Sequence, residues 1–213
     1  MDSISTSNHI DFKNFYTFSD PLATRPFRLV PKEQGREYSL GFLFNLAKGK
    51  NFLEEPIQFF PTKGNKATQV LWSEIVFLLC VSTKVVSLLQ ENKITGWSTY
   101  QAQVFDRSGI LLPGYNGLSI TGKECRRDRS QSTIIMKKNK LSGKPMRFYK
   151  GLYFIGSDWD GCDFFYVSSF GGIVVTKKVK ELFSKANITN IEFISLPEVE
   201  LSVLLDKYDK ESK

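Results

Sequence analysis

Apolar residues fall in short runs along this chain, and two stretches carry nearly the same arrangement of them. VSTKVVSLLQENKITGW begins at Val81 and VTKKVKELFSKANITNI at Val175, a constant offset of 94 residues. Val81, Lys84, Val85, Leu88, Ile94 and Thr95 coincide with Val175, Lys178, Val179, Leu182, Ile188 and Thr189 without a gap. Each copy opens on a β-prone apolar run (IVFLLC or GGIVV), short enough to be a buried strand. Ser82 or Thr176 then stands where an N-cap side chain accepts a backbone N–H, and apolar residues follow at helical spacing. After an Ile-Thr turn comes a second extended run, STYQAQVF or NIEFISL. The pattern predicts two related strand–helix–strand units.

Between the units, GLSIT, STIIMKK and MRFYKGLYF read as strands broken by Gly, Asn and Pro. Pro113-Gly114 and Asn116-Gly117 carry the turn chemistry of a hairpin or tight connection. Upstream, Phe27 to Phe60 predicts short strands and one short helix, and from Pro197 the run PEVELSVLLDKY reads as a final helix. The fold class that follows is α+β, with mixed β-sheets and a few short helices. The organisation is a β-rich N-terminal portion with a loose terminus (1–70), a region holding both units (71–205) and a frayed tail (206–213), within one compact domain.

Composition narrows the chemistry. One histidine serves the whole chain, whereas Ser-His-Asp and Cys-His nucleophile systems and the two-histidine zinc helix all need it at a folded site. His9 lies in a polar, Ser/Thr/Asn-rich start and reads as solvated, so no catalytic residue, cofactor or metal is expected. Three cysteines without a C-x-x-C make no disulfide framework and suit a reducing compartment. The longest apolar run, Ile75 to Val81, is far short of the ~20 residues that span a bilayer, and the polar start has no signal-peptide pattern. The expectation is a cytoplasmic protein without a membrane segment.

The net charge of +7 is a local property. Residues 1–122 carry +2, residues 123–150 carry +8, and residues 151–213 carry −3. The basic segment KECRRDRSQSTIIMKKNKLSGKPMRFYK holds Arg126, Arg127 and Arg129, then Lys137, Lys138 and Lys140, then Arg147, with Phe148 and Tyr149 interleaved. Such a stripe neutralises phosphates and stacks bases, yet no RRM, KH, helix-turn-helix or zinc-finger signature accompanies it. The same arginines suit an acidic protein surface. A solvated hairpin with lysine-protected edges is the plain structural reading.

A second cluster, SDWDGCDFF, sets Asp158, Asp160 and Asp163 around Trp159 and Gly161. It lacks EF-hand spacing and its terminal Glu, so a turn capped by Asp side chains competes with a cation loop or an acid/base pair. Trp159, Asp160 and Asp163 therefore stand as a secondary candidate site. The glycine-containing stretches KGNKAT and GYNGLSITGK match neither phosphate-loop pattern. Cys125 sits among Lys123, Arg126, Arg127 and Arg129, cations that lower a thiol pKa, but with no histidine partner it reads as incidental.

In combination, VSTKVVSLLQENKITGWSTYQAQVFDRSG, LPGYNGLSITG, GLYFIGSDWDGCDFF and GIVVTKKVKELFSKANITNIEF resemble the immunity proteins encoded beside bacterial polymorphic toxins, covering roughly 81–200. The resemblance implies a non-enzymatic inhibitor that binds a cognate toxin and blocks it, and it carries over no functional residues. Trp97, Tyr115, Trp159 and Asp160 lie in its characteristic segments. Inhibitors of nuclease toxins are commonly acidic, so the basic segment departs from that pattern and points to a toxin with an acidic surface or to a partner gripped through a face elsewhere. The expected contacts are Arg126, Arg127, Arg129, Lys137, Lys138, Lys140, Arg147 and Tyr149. A nucleic-acid-binding module using residues 123–150 is the alternative, and oligomeric state stays open.

Overall fold

The computed structural model describes residues 10–32, 38–51, 53–75, 77–138 and 143–203. Along the chain, β1 (Phe15–Phe18) and β2 (Arg28–Lys32) precede helix α1 (Leu40–Ala47). Then β3 (Ile57–Lys63), β4 (Val70–Trp72) and β5 (Leu79–Ser82) lead into α2 (Thr83–Glu91). Six strands follow: β6 (Trp97–Tyr100), β7 (Ala102–Phe105), β8 (Leu111–Leu112), β9 (Tyr115–Ile120), β10 (Arg127–Asp128) and β11 (Thr133–Lys138). Next, β12 (Pro145–Lys150), β13 (Tyr153–Phe154), β14 (Phe164–Tyr166) and β15 (Ile173–Thr176) bring the chain to α3 (Lys177–Lys185), before β16 (Glu200–Ser202). The class is α+β, with antiparallel and mixed sheets and short helices.

The 94-residue echo is a structural repeat, and it runs further back than residue identity reveals. β4 pairs with β5 as Val70↔Val81, Leu71↔Cys80 and Trp72↔Leu79. β14 pairs with β15 as Phe164↔Val175, Phe165↔Val174 and Tyr166↔Ile173, every partner displaced by 94. The turns after the helices repeat as well. Ile94 N–H donates to Leu89 O and Ile188 N–H to Phe183 O, both at 3.0 Å. Lys93 and Asn187 share a positive φ (50° and 53°), as do Gly96 and Asn190 (81° and 66°). Gly96 needs that freedom doubly, because a Cβ there would lie 2.2 Å from Phe164 O.

The units bury one core between them. Val81, Val85, Leu89 and Ile94 of the first meet Val175, Val179, Phe183 and Ile188 of the second, with Phe18, Trp72 and Phe164 between. Their helices are tied crosswise: Lys84 Nζ donates to Ala186 O and Lys178 Nζ to Lys93 O, each at 3.3 Å. Each lysine thus meets the carbonyl end of the other helix, where cations are favoured. One strand is exchanged. β9, downstream of β5, pairs with it through Tyr115↔Ser82 and Asn116↔Val81. The second unit is completed from upstream, by β1, through Phe15↔Thr176 and Tyr16↔Val175.

Two further cores flank this one. α1 packs with β2, β3 and β7 around Leu29, Leu46, Phe59 and Val104, and Phe15, Phe154, Phe165 and Leu196 form the other. Two expectations are corrected. Ser82 and Thr176 are N-caps by backbone, yet neither side chain caps its helix. Thr176 Oγ1 donates instead to Asp163 Oδ1 at 2.7 Å, because the neighbouring strand brings a carboxylate within reach. As far as it is described, to residue 203, the C-terminal stretch forms a 3-10 turn at Leu196–Glu198 and then strand β16 rather than a helix. Pairing with β12 (Tyr149↔Leu201) outweighs the weak helical period there. His9, Lys140 and the tail 206–213 lie outside the described residues.

Candidate partner-binding surface

The basic segment folds as β10, a turn, and the hairpin β11–β12, with β16 on the inner side of β12. Among the described residues β11 pairs on one side only, through Thr133↔Lys150, Ile134↔Tyr149, Ile135↔Phe148, Met136↔Arg147, Lys137↔Met146 and Lys138↔Pro145. Among the described residues, none from β11 or β12 belongs to any of the three cores. The hairpin is an arm on the molecule rather than part of its packing.

Directly opposed residues share a face, so the register sorts the side chains into two sets. One face carries Ile134, Met136 and Lys138 with Tyr149, Arg147 and Pro145. Ile134 and Met136 are each 59% exposed. The guanidinium of Arg127 lies over the Tyr149 ring at 5.2 Å, closing the inner end of this face. The other face is self-neutralised: Lys137 pairs with Glu200, and Lys150 Nζ with Glu198 at 3.0 Å. Glu198 also holds the Lys150 ammonium above its ordinary pKa, through a hydrogen bond and its charge.

The candidate cations therefore divide. Arg126 donates from Nε and Nη2 to the two carboxylate oxygens of Asp158 at 2.8 and 2.9 Å, and its own N–H adds a third bond at 3.0 Å. That clasp pushes the Asp158 carboxyl down to about 2 and raises the Arg126 guanidinium. Arg127 is half-buried, its N–H donating to Ser168 Oγ at 3.1 Å. Arg129 lies exposed in the turn after β10, and Lys138 and Arg147 are exposed on the arm. Thus Lys138, Arg147 and Tyr149 come together on one face, while Lys137 points to the other and Arg126 serves the acidic loop. Ile134 and Met136 were missed by sequence reasoning. The signal was present as period-two spacing (Ile134, Met136, Lys138), masked by Ile135 on the opposite face.

The acidic loop turns inward. Asp163, 8% exposed, accepts from Thr95 N–H at 3.1 Å, Thr95 Oγ1 at 3.3 Å and Thr176 Oγ1 at 2.7 Å, so it bolts the two units together. Asp160 accepts the N–H groups of Cys162 and Lys123. Burial pushes its carboxyl up, but the bonds from Cys162 and Lys123 outweigh that and leave it below its ordinary value. Trp159 Nε1 donates to Cys162 O at 3.0 Å while the ring stands edge-on to Phe15. Among the described residues no three His, Cys, Asp or Glu side chains gather where they could hold a metal ion.

Cys125 does not follow the cations around it in sequence. It is fully buried, and burial with the nearby Asp158 and Asp160 charges lifts its thiol to about 12. Cys162 is likewise lifted to about 12, chiefly by burial, and Cys80 is raised for the same reason. The described chain has no helix long and apolar enough to cross a membrane. No protein-family model matches this chain, and no curated protein matches it.

Proposed function

We propose that the protein is a non-catalytic inhibitor that neutralises a cognate bacterial toxin by blocking it, with the outward face of the β11–β12 arm as its contact surface. One observation carries the choice of surface. Ile134 and Met136, both 59% exposed, share a face with Lys138 and Arg147, Met136 directly opposite Arg147, on a strand whose other edge is unpaired among the described residues. Apolar anchors flanked by Arg and Lys are the composition of a protein interface, and an open edge accepts a further strand. The cations select an acidic partner and speed its approach. That the partner is a toxin rests on the sequence resemblance over 81–200.

A nucleic-acid reading is less well supported. Base stacking needs exposed rings, and Tyr149, half-buried, already has Arg127 over it. Co-expression of the chain with the toxin domain encoded beside its gene tests the proposal. Full-length protein should restore growth and form a one-to-one complex. The double variant Met136→Asp/Arg147→Glu should stay folded and lose both. Absence of protection by the wild type, protection undiminished in the folded double variant, or salt-dependent retention of RNA or DNA in a gel shift would each overturn it.

A further inference from the structure

At the end of the shared core away from α2 and α3, a cleft of about 850 Å³ opens, floored by Phe18, Trp72, Phe77 and Ile173. The internal repeat explains why it is open. The β4–β5 turn carries Phe77 and Leu78, whereas the residues 94 positions on, in the β14–β15 turn, are Gly171 and Gly172. Gly171 leaves open the space a side chain would take there, whereas the Phe170 ring lies against Gly172, 2.4 Å from where a Cβ would stand.

The repeat also provides a counterpart site that is filled. Tyr166 corresponds to Trp72 and Leu79 to Ile173. At that counterpart the last turns of α1 form the cover. The Phe44 ring stands edge-on to Phe77 at 5.4 Å. One helical turn later, Lys48 Nζ lies 5.5 Å over the Tyr166 ring and 4.4 Å over Phe44, fixed by Glu124 at 2.7 Å. No cation lies over Trp72 among the described residues. Ser19, which lines the cleft, makes no side-chain hydrogen bond among the described residues, while its counterpart Ser119 (the exchanged strands β1 and β9 differ by 100) donates to Leu46 O of α1 at 2.6 Å.

The rim completes the match. Asp20 pairs with Arg28, and Glu74 lies 3.8 Å from Lys63 with its side chain 43% exposed. Two carboxylates and two cations complement a group bearing both signs. A helix C-terminus with a basic side chain is such a group, its last carbonyls carrying roughly half a negative charge. Lys84 and Lys178 already meet helix ends in this way within the molecule. Leu22, at the mouth, is 75% exposed and held at a φ of +55°, a strained placement of the kind that collects at ligand clamps.

We infer that this cleft is a second binding site, separate from the arm, which takes the C-terminal turn of an amphipathic helix from a partner protein. That turn carries a large apolar residue followed four positions later by Lys or Arg. The apolar residue enters beside Trp72 and Phe77, the cation stands over Trp72 toward Glu74, and the terminal carbonyls face Ser19, Arg28 and Lys63.

The probe is a peptide of residues 39–50, stapled through positions 41 and 45 (both exposed on α1) so that it is helical before binding. It is titrated into full-length ¹⁵N-labelled protein. Saturable binding should shift the Trp72 indole N–H, which donates to Asn190 O at the cleft floor. Lys48→Ala in the peptide, or Glu74→Lys in the protein, should weaken binding roughly tenfold. Ala23→Trp, at an exposed lining position, should abolish it while leaving the melting temperature unchanged. No saturable binding, binding that leaves the Trp72 indole unmoved, or binding indifferent to Ala23→Trp would overturn the inference. Cleft shifts produced by protein concentration alone would overturn it in favour of a second copy as the occupant.

Discussion

Phe183→Ala tests whether the two repeated units are one cooperative body. Phe183 is fully buried, and its ring meets Phe18 at 5.7 Å and Phe193 at 6.3 Å, both edge-on. Its neighbours come from α2 as well as α3, because Val85 and Leu89 share the same core. Removing a buried phenylalanine ring costs about 3–5 kcal/mol, the spread reflecting how far the cavity collapses. For a chain of this length that is a fall of roughly 6–20 °C in melting temperature. Leu89→Ala, at the corresponding position of the first unit, should cost about 2–5 kcal/mol. Urea unfolding followed by both far-UV circular dichroism and tryptophan fluorescence is the assay. In each variant the two probes should report a single coincident transition with a lower midpoint and an unchanged slope. Two transitions, one of them at the wild-type midpoint, would refute the shared core. So would a loss below about 1 kcal/mol for Phe183→Ala.

Three other outcomes follow. The Asp158 carboxyl lies below the range of an unfolded aspartate, so the Arg126 clasp stabilises fully above about pH 4 and is lost as pH falls toward 2. Asp158→Asn should therefore flatten the urea-midpoint profile between pH 4 and 2, and an unaltered profile would show the clasp is not populated. All three cysteines should resist alkylation by iodoacetamide at pH 8 in the native protein and react once it is unfolded, because burial keeps them protonated and covered; rapid native labelling of Cys125 would contradict its placement. Gly96→Ala should lower the melting temperature sharply, since the new Cβ meets Phe164 O at a φ of +81°, whereas Asn190→Gly at the equivalent position relieves the backbone but forfeits the Asn190 Nδ2 bond to Val70 O and should cost only about 1 kcal/mol in the same melt.

The repeat was legible where residue identity survives, from Val81 and Val175 onward, and illegible just upstream. There Val70, Leu71 and Trp72 answer to Phe164, Phe165 and Tyr166 in apolar class alone, because a buried strand pair demands hydrophobicity and volume rather than particular residues. The exchange of β1 for β9 was not legible. At their offset of 100, FYTFS and YNGLS match only in an aromatic, an apolar residue and a serine, and pairing across the distance from Phe15 to Thr176 is a tertiary choice. Charge density marked the segment that forms the arm, but its division into faces depends on the strand register, which composition alone does not fix. For the acidic loop, an Asp accepting backbone N–H groups and an Asp awaiting a cation are spelled alike. Only the positions of Thr95 and Thr176 decide between them.

The arm and the scaffold obey different demands. The scaffold is a near-duplicate pair of units whose hydrogen bonds, helix ties and core contacts answer one another across 94 residues, and β10 to β13 are inserted between those units. Nothing in the shared core uses the arm, and its two ion pairs to Glu198 and Glu200 are exposed contacts, a type worth about 0–1 kcal/mol each. Substitutions at Ile134, Met136, Lys138 and Arg147 should therefore change partner affinity without moving the unfolding transition. The converse holds for Asp163, Phe183 and Gly96. The cleft lies between these extremes: it borders the core through Trp72 and Ile173, yet its wall at Gly171 has open space where the other turn carries Phe77. A scaffold selected for stability alone would fill both turns alike, so the gap beside Gly171 makes that end of the repeat a place for a guest.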